Sequence, residues 1–169
     1  MKKTIAVVLS VLLFSEALLL AVDSKGAEYV GGTLNTYPGA KDPVEGVLDT
    51  MNPDQLVFTA TDKGFKGKTF AIPYARVIDL EYGQKAGRRV GTAVATTVLL
   101  GPIGLLSLFS KKRKHYLTIG FKDEMDKDGV VVLEIGKGIV RTTLPIVEKR
   151  SGKKIEYQDD ESRKAGLGT

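Results

Sequence analysis

The sequence predicts a mainly β, α+β fold: a small, strongly bent antiparallel sheet or barrel closed by a C-terminal helix, with an apolar helical-hairpin insertion. Three observations support this class. Segments with two-residue apolar alternation recur after residue 54, a helical segment follows them, and a long uncharged run interrupts them. The chain has 169 residues and no cysteine, so its stability must rest on an apolar core rather than on disulfides.

The β segments are separated by turn residues. A short β-like segment covers residues 28–34, and the prolines and glycines of residues 35–54 predict a loop. Further strands are expected at residues 55–61, 68–72, 76–82, 115–121 and 130–135, and Ile155 and Tyr157 are candidates for another short one. The segment 130–135 is nearly all apolar, which predicts a central position in the sheet.

A single long helix is expected near the C-terminus. Thr142 or Thr143 can cap it, Pro145 is predicted in its first turn, and Gly152 is a suitable end. Residues 159–169 are charged and contain glycine, which predicts a disordered tail. The predicted organisation is a signal peptide or N-terminal anchor at 1–24, one β-rich domain at 25–158 with an apolar insertion at 90–110, and the tail at 159–169.

The N-terminus has the pattern of a secretory leader. Two lysines precede an uncharged, mostly apolar run at residues 4–15, which is shorter than the roughly 20 residues that a membrane-spanning helix needs. Glu16 interrupts the run. Cleavage after Ala17 fits the spacing of small residues, Ser24 and Ala27 are rival sites, and an uncleaved anchor is the alternative. We therefore expect an exported protein, located in the periplasm or in the membrane-associated cell envelope.

Part of the β-rich region resembles a known family. The stretch Thr69-Phe-Ala-Ile-Pro-Tyr-Ala-Arg-Val-Ile-Asp-Leu, followed by Lys114-His-Tyr-Leu-Thr-Ile, the 130–135 strand and the helix, resembles a bacterial pleckstrin-homology-like or GRAM-type domain. The resemblance covers about residues 55–152. It implies a binding or scaffolding module rather than an enzyme. The chain departs from the family pattern by its long apolar insertion between two strands.

The insertion is the most unusual segment of the sequence. Residues 90–110 contain no charged residue, while arginines precede them and a basic run follows. Gly101, Pro102 and Gly104 predict a bend near the middle, because proline removes a helix hydrogen bond and glycine weakens a helix interior. Each arm would then have roughly 8–11 residues, or about 12–16 Å of helix, which is half of a hydrocarbon core of about 30 Å.

We therefore predict a re-entrant hairpin that dips into one leaflet, with basic flanks attracted to anionic headgroups by about 1 kcal/mol per charge. The predicted membrane-contact residues are Arg88, Arg89, Leu99, Leu100, Leu105, Leu106, Phe109, Lys111, Lys112, Arg113 and Lys114. Two alternatives remain at this stage. The hairpin could fill a gap in its own domain, or the segment could span the membrane, which would place strands 76–82 and 115–121 on opposite sides. Small residues in the segment also permit self-association.

The sequence offers little for catalysis or metal binding. His115 is the only histidine, which excludes a multi-histidine metal site and leaves it as the expected first residue of a strand. Gly67-Lys68-Thr69 lacks the spacing and the helix of a phosphate-binding loop, so a hairpin turn is expected. The acidic residues 123–128 lack the glycine and terminal glutamate of a calcium loop. We expect no catalytic residue, metal, cofactor or nucleic-acid partner.

Together these observations predict a non-enzymatic, membrane-associated adaptor or scaffold domain of the cell envelope. Its formal net charge of +5, concentrated beside the insertion, fits anionic membrane lipids as the partner. The alternative is a soluble periplasmic barrel that binds a small molecule or lipid, with the apolar insertion as its lid.

Overall fold

The computed structural model of the protein describes residues 26–84 and 114–168. In chain order its elements are β1 (Ala27–Gly32), β2 (Val44–Asp49), β3 (Gln55–Ala60), β4 (Thr69–Pro73), a 3₁₀ turn (Tyr74–Arg76), β5 (Val77–Gly83), β6 (Tyr116–Lys122), β7 (Asp128–Ile135), α1 (Val140–Ser151), β8 (Ile155–Tyr157) and α2 (Asp160–Leu167). The predicted leader and the uncharged run 90–110 lie outside the described residues.

The eight strands form one sheet in the order β4-β3-β2-β1-β7-β6-β5-β8. Neighbours are antiparallel except β5 and β8, which pair in parallel. Strand β1 joins the β2–β4 meander to the β5–β7 meander. The predicted mainly β, α+β class is confirmed, but the described sheet is open rather than a closed barrel, and β8 makes it mixed.

Apolar side chains on one face of the sheet form the main core. In β3 and β4 buried and more exposed residues alternate, so each of these strands turns one apolar face inward. Phe58 and Phe70 stack across the pair with ring centroids 5.2 Å apart. Leu80, Leu117 and Leu133 extend the same core across β5, β6 and β7. The alternation that predicted these strands therefore corresponds to the inward face.

Strands β6 and β7 differ because both of their faces are buried. Leu117 and Ile119 belong to the main core, while Tyr116 and Thr118 are buried on the opposite face. Strand β7 lies between β1 and β6, which confirms the central position predicted from its apolar composition.

Helix α1 packs its apolar side onto the main core. Val140, Leu144 and Val147 are buried there, each with an exposed fraction of 1% or less. The predicted threonine cap is wrong: Ile139 occupies the N-cap position without a side-chain hydrogen bond. The earlier helix start also places Pro145 inside the helix rather than in its first turn. The predicted end is confirmed, since Gly152 follows the helix in the left-handed conformation with φ 68°.

Two corrections concern segments in which the sequence shows no regular pattern. Residues 35–54 were predicted as loop, yet they contain β2. Gly46 lowers the strand propensity of this segment, but the position requires glycine, because a Cβ there would lie 2.4 Å from the Phe58 ring. The glycine that weakens the pattern is thus imposed by the neighbouring strand.

The predicted disordered tail is also wrong, since residues 160–167 form α2. The Asp159 side chain caps the helix by accepting a hydrogen bond from the Ser162 N–H at 2.7 Å. Gly166 lets the helix approach closely, because a Cβ there would lie 2.9 Å from the Tyr157 ring and 3.1 Å from Leu144. The β-rich domain therefore extends beyond residue 158. Among the described residues, neither helix is long and apolar enough to cross a membrane.

Candidate functional site

Most of the predicted contact residues lie outside the described residues. These are Arg88, Arg89, Leu99, Leu100, Leu105, Leu106, Phe109, Lys111, Lys112 and Arg113, together with the predicted bend at Gly101, Pro102 and Gly104. The structure does describe Lys114 and both points at which the insertion joins the sheet. The candidate site therefore comprises these attachment points.

The two attachment points are neighbours in the sheet. Strands β5 and β6 pair along their length, and Gly83 at the end of β5 lies opposite Tyr116 at the start of β6. Paired Cα atoms in adjacent antiparallel strands are roughly 4.5–5.5 Å apart. The segment that leaves the sheet after Gly83 therefore re-enters it at the neighbouring position, before Tyr116. The prediction that both strands belong to one sheet is confirmed, and a span that separates them across a bilayer is incompatible with their pairing.

Lys114 makes an ion pair within the domain. Its Nζ lies 2.7 Å from Oε2 of Glu134 on β7, and both side chains are partly buried. The hydrogen bond to Glu134 is the main reason that the pKa of Lys114 is raised. The predicted headgroup contact for Lys114 would therefore compete with an existing carboxylate partner.

Lys114 also compensates a row of acidic side chains that crosses three strands. Glu28 on β1 lies opposite Glu45 on β2 and Glu134 on β7. Like charges directly opposite one another destabilise a sheet. Burial raises the pKa of Glu28, the charges of Glu134 and Glu45 raise it further, and Lys114 lowers it. The first described residue after the insertion thus neutralises part of this row.

His115, directly before β6, contacts Tyr82 on the neighbouring strand β5. Its Nδ1 lies 2.6 Å from the hydroxyl of Tyr82, and the two rings stack at an interplanar angle of 14°. Burial raises the pKa of Tyr82 to about 12, so the phenol stays protonated and can donate to an unprotonated Nδ1. Burial lowers the pKa of His115, and the nearby Lys137 lowers it further, while Glu134 raises it. A neutral His115 is therefore favoured at this position.

The end of β8 completes the attachment beside Gly83. The Gln158 N–H donates to the Tyr82 carbonyl at 3.1 Å, and its side-chain amide donates to Glu81 at 3.0 Å. The Gln158 side chain occupies the space that a Cβ on Gly83 would need, with its nearest atoms 1.8 Å from that position. Glu134 and Tyr82 thus bind the residues that follow the insertion, and Gln158 binds the residues that precede it.

A second apolar cluster lies on the sheet face opposite the helices. Val30, Tyr116 and Val132 form it, and none is more than 4% exposed. Helices α1 and α2 both contact the main core instead. The buried Tyr116 hydroxyl has no hydrogen-bond partner among the described residues. Burial, followed by the charges of Glu134 and Glu28, raises the pKa of Tyr116. We call this group the outer-face cluster.

The other candidate motifs have structural explanations. Gly67, with φ 81°, belongs to the turn between β3 and β4, which confirms the predicted hairpin in place of a phosphate loop. The Asp123 carboxylate accepts the N–H groups of Met125 and Lys127, each at 2.9 Å, and so shapes the turn between β6 and β7. Within residues 26–84 and 114–168, no group of three or more His, Asp or Glu side chains is arranged to hold a metal ion.

Sequence reasoning missed the roles of Tyr82, Glu134 and Gln158 at the attachment. For Tyr82, the available signal was its position near the end of the strand that precedes the insertion. Glu134 and Gln158 are far from the insertion in sequence, and only strand pairing brings them to it.

Comparison with known proteins leaves the family open. No family model matches the chain, and no curated protein matches it. Among solved structures, the hSac2 domain from human phosphoinositide phosphatase Sac2 is similar, with a TM-score of 0.45 and 15% sequence identity over 90% of this chain and 88% of that chain. This similarity is too low to transfer a function, and the pleckstrin-homology-like resemblance is not confirmed by it.

Proposed function

We propose that this protein is a non-enzymatic, membrane-associated adaptor or scaffold domain of the cell envelope, held at the bilayer by its apolar insertion. The observation that carries this proposal is the pairing of Gly83 with Tyr116. It fixes both ends of the insertion at one point of a folded domain, while the sequence between them contains the uncharged run 90–110.

The length of the run favours entry into one leaflet. A segment that leaves and returns on the same side would need two spans of roughly 20 residues to cross the bilayer and come back. The uncharged run 90–110 supplies about half of that length. With a turn at Gly101-Pro102, each arm reaches about the middle of the hydrocarbon core.

The charges beside the run support the same arrangement. Since both ends return to one point, Arg88 and Arg89 on one side and residues 111–113 on the other would face the same leaflet. Each such charge adds about 1 kcal/mol of attraction to an anionic surface. We leave Lys114 out of this set, because Glu134 already binds it.

The cell-envelope location rests on the N-terminal sequence. The lysines at the start and the apolar run after them have the order of a secretory leader. Whether or not that leader is removed, the insertion provides a separate attachment to the membrane.

Membrane fractionation of the full chain tests the proposal. The double variant Leu105→Asp and Leu106→Asp places two charges in the run, at a cost of several kcal/mol for insertion into hydrocarbon. Leu167→Asp is the matched control, because Leu167 is an exposed leucine on α2, 54% exposed. Mass spectrometry of the purified chains identifies the mature N-terminus, so that an uncleaved leader is recognised.

With the leader cleaved, the unaltered protein and Leu167→Asp should remain in the carbonate-resistant membrane pellet, and the double variant should move to the supernatant. Recovery of the cleaved, unaltered protein in the soluble fraction would exclude membrane attachment through the insertion. It would favour the alternative in which the insertion packs against the domain.

A further inference from the structure

We propose that one end of the sheet is the membrane-facing surface of the domain, and that its partner is a lipid surface. This end comprises the start of β1, the end of β7, the start of β6 and the end of β5. The inference rests on the proposed function and adds the orientation of the domain on the bilayer.

Strand registers place these four strand ends side by side. Ala27 at the start of β1 lies opposite Ile135 at the end of β7. The Ile135 N–H donates to the His115 carbonyl at 2.7 Å, and Gly136 donates to the Gly26 carbonyl at 3.2 Å. Tyr116, next to His115, pairs with the end of β5. Three strand spacings of about 4.8 Å give this row a width of about 14 Å.

Both apolar runs of the sequence therefore join the domain at the same end. The N-terminal run leads to Gly26, while the insertion joins at Gln84 and Lys114. The two runs are far apart in sequence, and the antiparallel order of four neighbouring strands brings their attachment points together. A domain tethered by either run would turn this end toward the bilayer.

The turn between β6 and β7 marks the opposite end of these strands. Seven-residue strands separate the two ends by about 23 Å. A domain tethered at the first end would therefore hold this turn away from the headgroups.

Fluorescence quenching in vesicles can test the orientation, because the chain contains no tryptophan. Lys137→Trp places a unique reporter at the proposed end, and Met125→Trp places one at the opposite turn, where Met125 is 70% exposed. Each full-length variant is reconstituted into phosphatidylcholine vesicles containing phosphatidylglycerol, with and without a nitroxide-labelled headgroup lipid. Far-ultraviolet circular dichroism verifies folding, and Gln84→Trp replaces Lys137→Trp if the latter does not fold.

The headgroup quencher should reduce fluorescence at the proposed end at least twofold more than at Met125→Trp. Equal quenching, or stronger quenching at Met125→Trp, in proteins that float with the vesicles would overturn the orientation and leave membrane attachment intact. If the folded proteins do not float with the vesicles, the proposed function fails, and the orientation fails with it.

Discussion

Three polar side-chain contacts lie at the base of the insertion. Lys114 binds Glu134, His115 binds Tyr82, and Gln158 binds Glu81. Each of these contacts joins a residue just outside a strand to a side chain on a different strand. These contacts therefore link the residues at the base of the insertion to strands β5 and β7.

The ion pair of Lys114 is expected to contribute to stability. Lys114→Gln would leave Glu28 and Glu134 opposite each other without this cation, so we expect a loss of about 0.5–1 kcal/mol in the free energy of unfolding. Urea unfolding in detergent solution measures it. Lys154→Gln, at an exposed position, should change the value by less than about 0.3 kcal/mol. Equal effects of the two substitutions would contradict a specific role for the pair.

His115 should make stability depend on pH. Its folded-state pKa lies below the ordinary value of 6.5, so the unfolded chain binds a proton first as pH falls. The stabilisation that results from this lowered pKa is complete above pH 6.5. It is lost as the pH falls from 6.5 toward the folded-state pKa. Because the ring is partly solvated, the change should stay well below the limit of about 1.4 kcal/mol per pH unit.

The measurement compares unfolding of the natural protein and of His115→Gln at pH 7.5 and 5.5. Glutamine keeps an acceptor for the Tyr82 hydroxyl but does not titrate. The natural protein should lose more stability between the two pH values than the variant. The opposite order would show that His115 is protonated more readily in the folded state.

At the scale of elements, alternating sequence identified most strands and non-alternating sequence concealed two elements. The segments predicted at 55–61, 68–72, 76–82 and 115–121 are β3, β4, β5 and β6. In contrast, β2 and α2 depend on the glycines Gly46 and Gly166, which lower local propensity but permit close packing. The local sequence pattern predicts an element well where that element has its own apolar face. It predicts an element less well where close packing against a neighbouring element requires a glycine.

Gly46 provides a test of this explanation for β2. A Cβ at Gly46 would lie 2.4 Å from the Phe58 ring and 2.6 Å from the Thr59 carbonyl, so Gly46→Ala should cost about 1–3 kcal/mol of stability. Gly31→Ala on the neighbouring strand is the matched control, because nothing lies within 4 Å of the corresponding position. Thermal unfolding of both variants should show a clear fall in midpoint for Gly46→Ala only, and similar falls would exclude the packing explanation.

At the scale of the whole molecule, the sheet should fold without the insertion. Replacing residues 85–113 with one glycine would join Gly83 to Tyr116 by a loop of the roughly 2–5 residues typical of hairpins. We expect the shortened protein to keep its circular dichroism spectrum and to lose less than about 2 kcal/mol of unfolding free energy. A larger loss would indicate that the insertion covers the outer-face cluster, which would contradict its entry into a leaflet.

By itself, the sequence determined the mainly β class, most strands, the main helix and the existence of an uncharged run between basic flanks. These features arise from local periodicity and composition, which act along the chain. Only the tertiary structure decided that the run begins and ends at neighbouring strand ends, that Lys114 is bound by Glu134, and that the tail forms a helix. Those features depend on contacts between residues distant in sequence, and hydrogen-bonded strand pairing fixes these contacts in space.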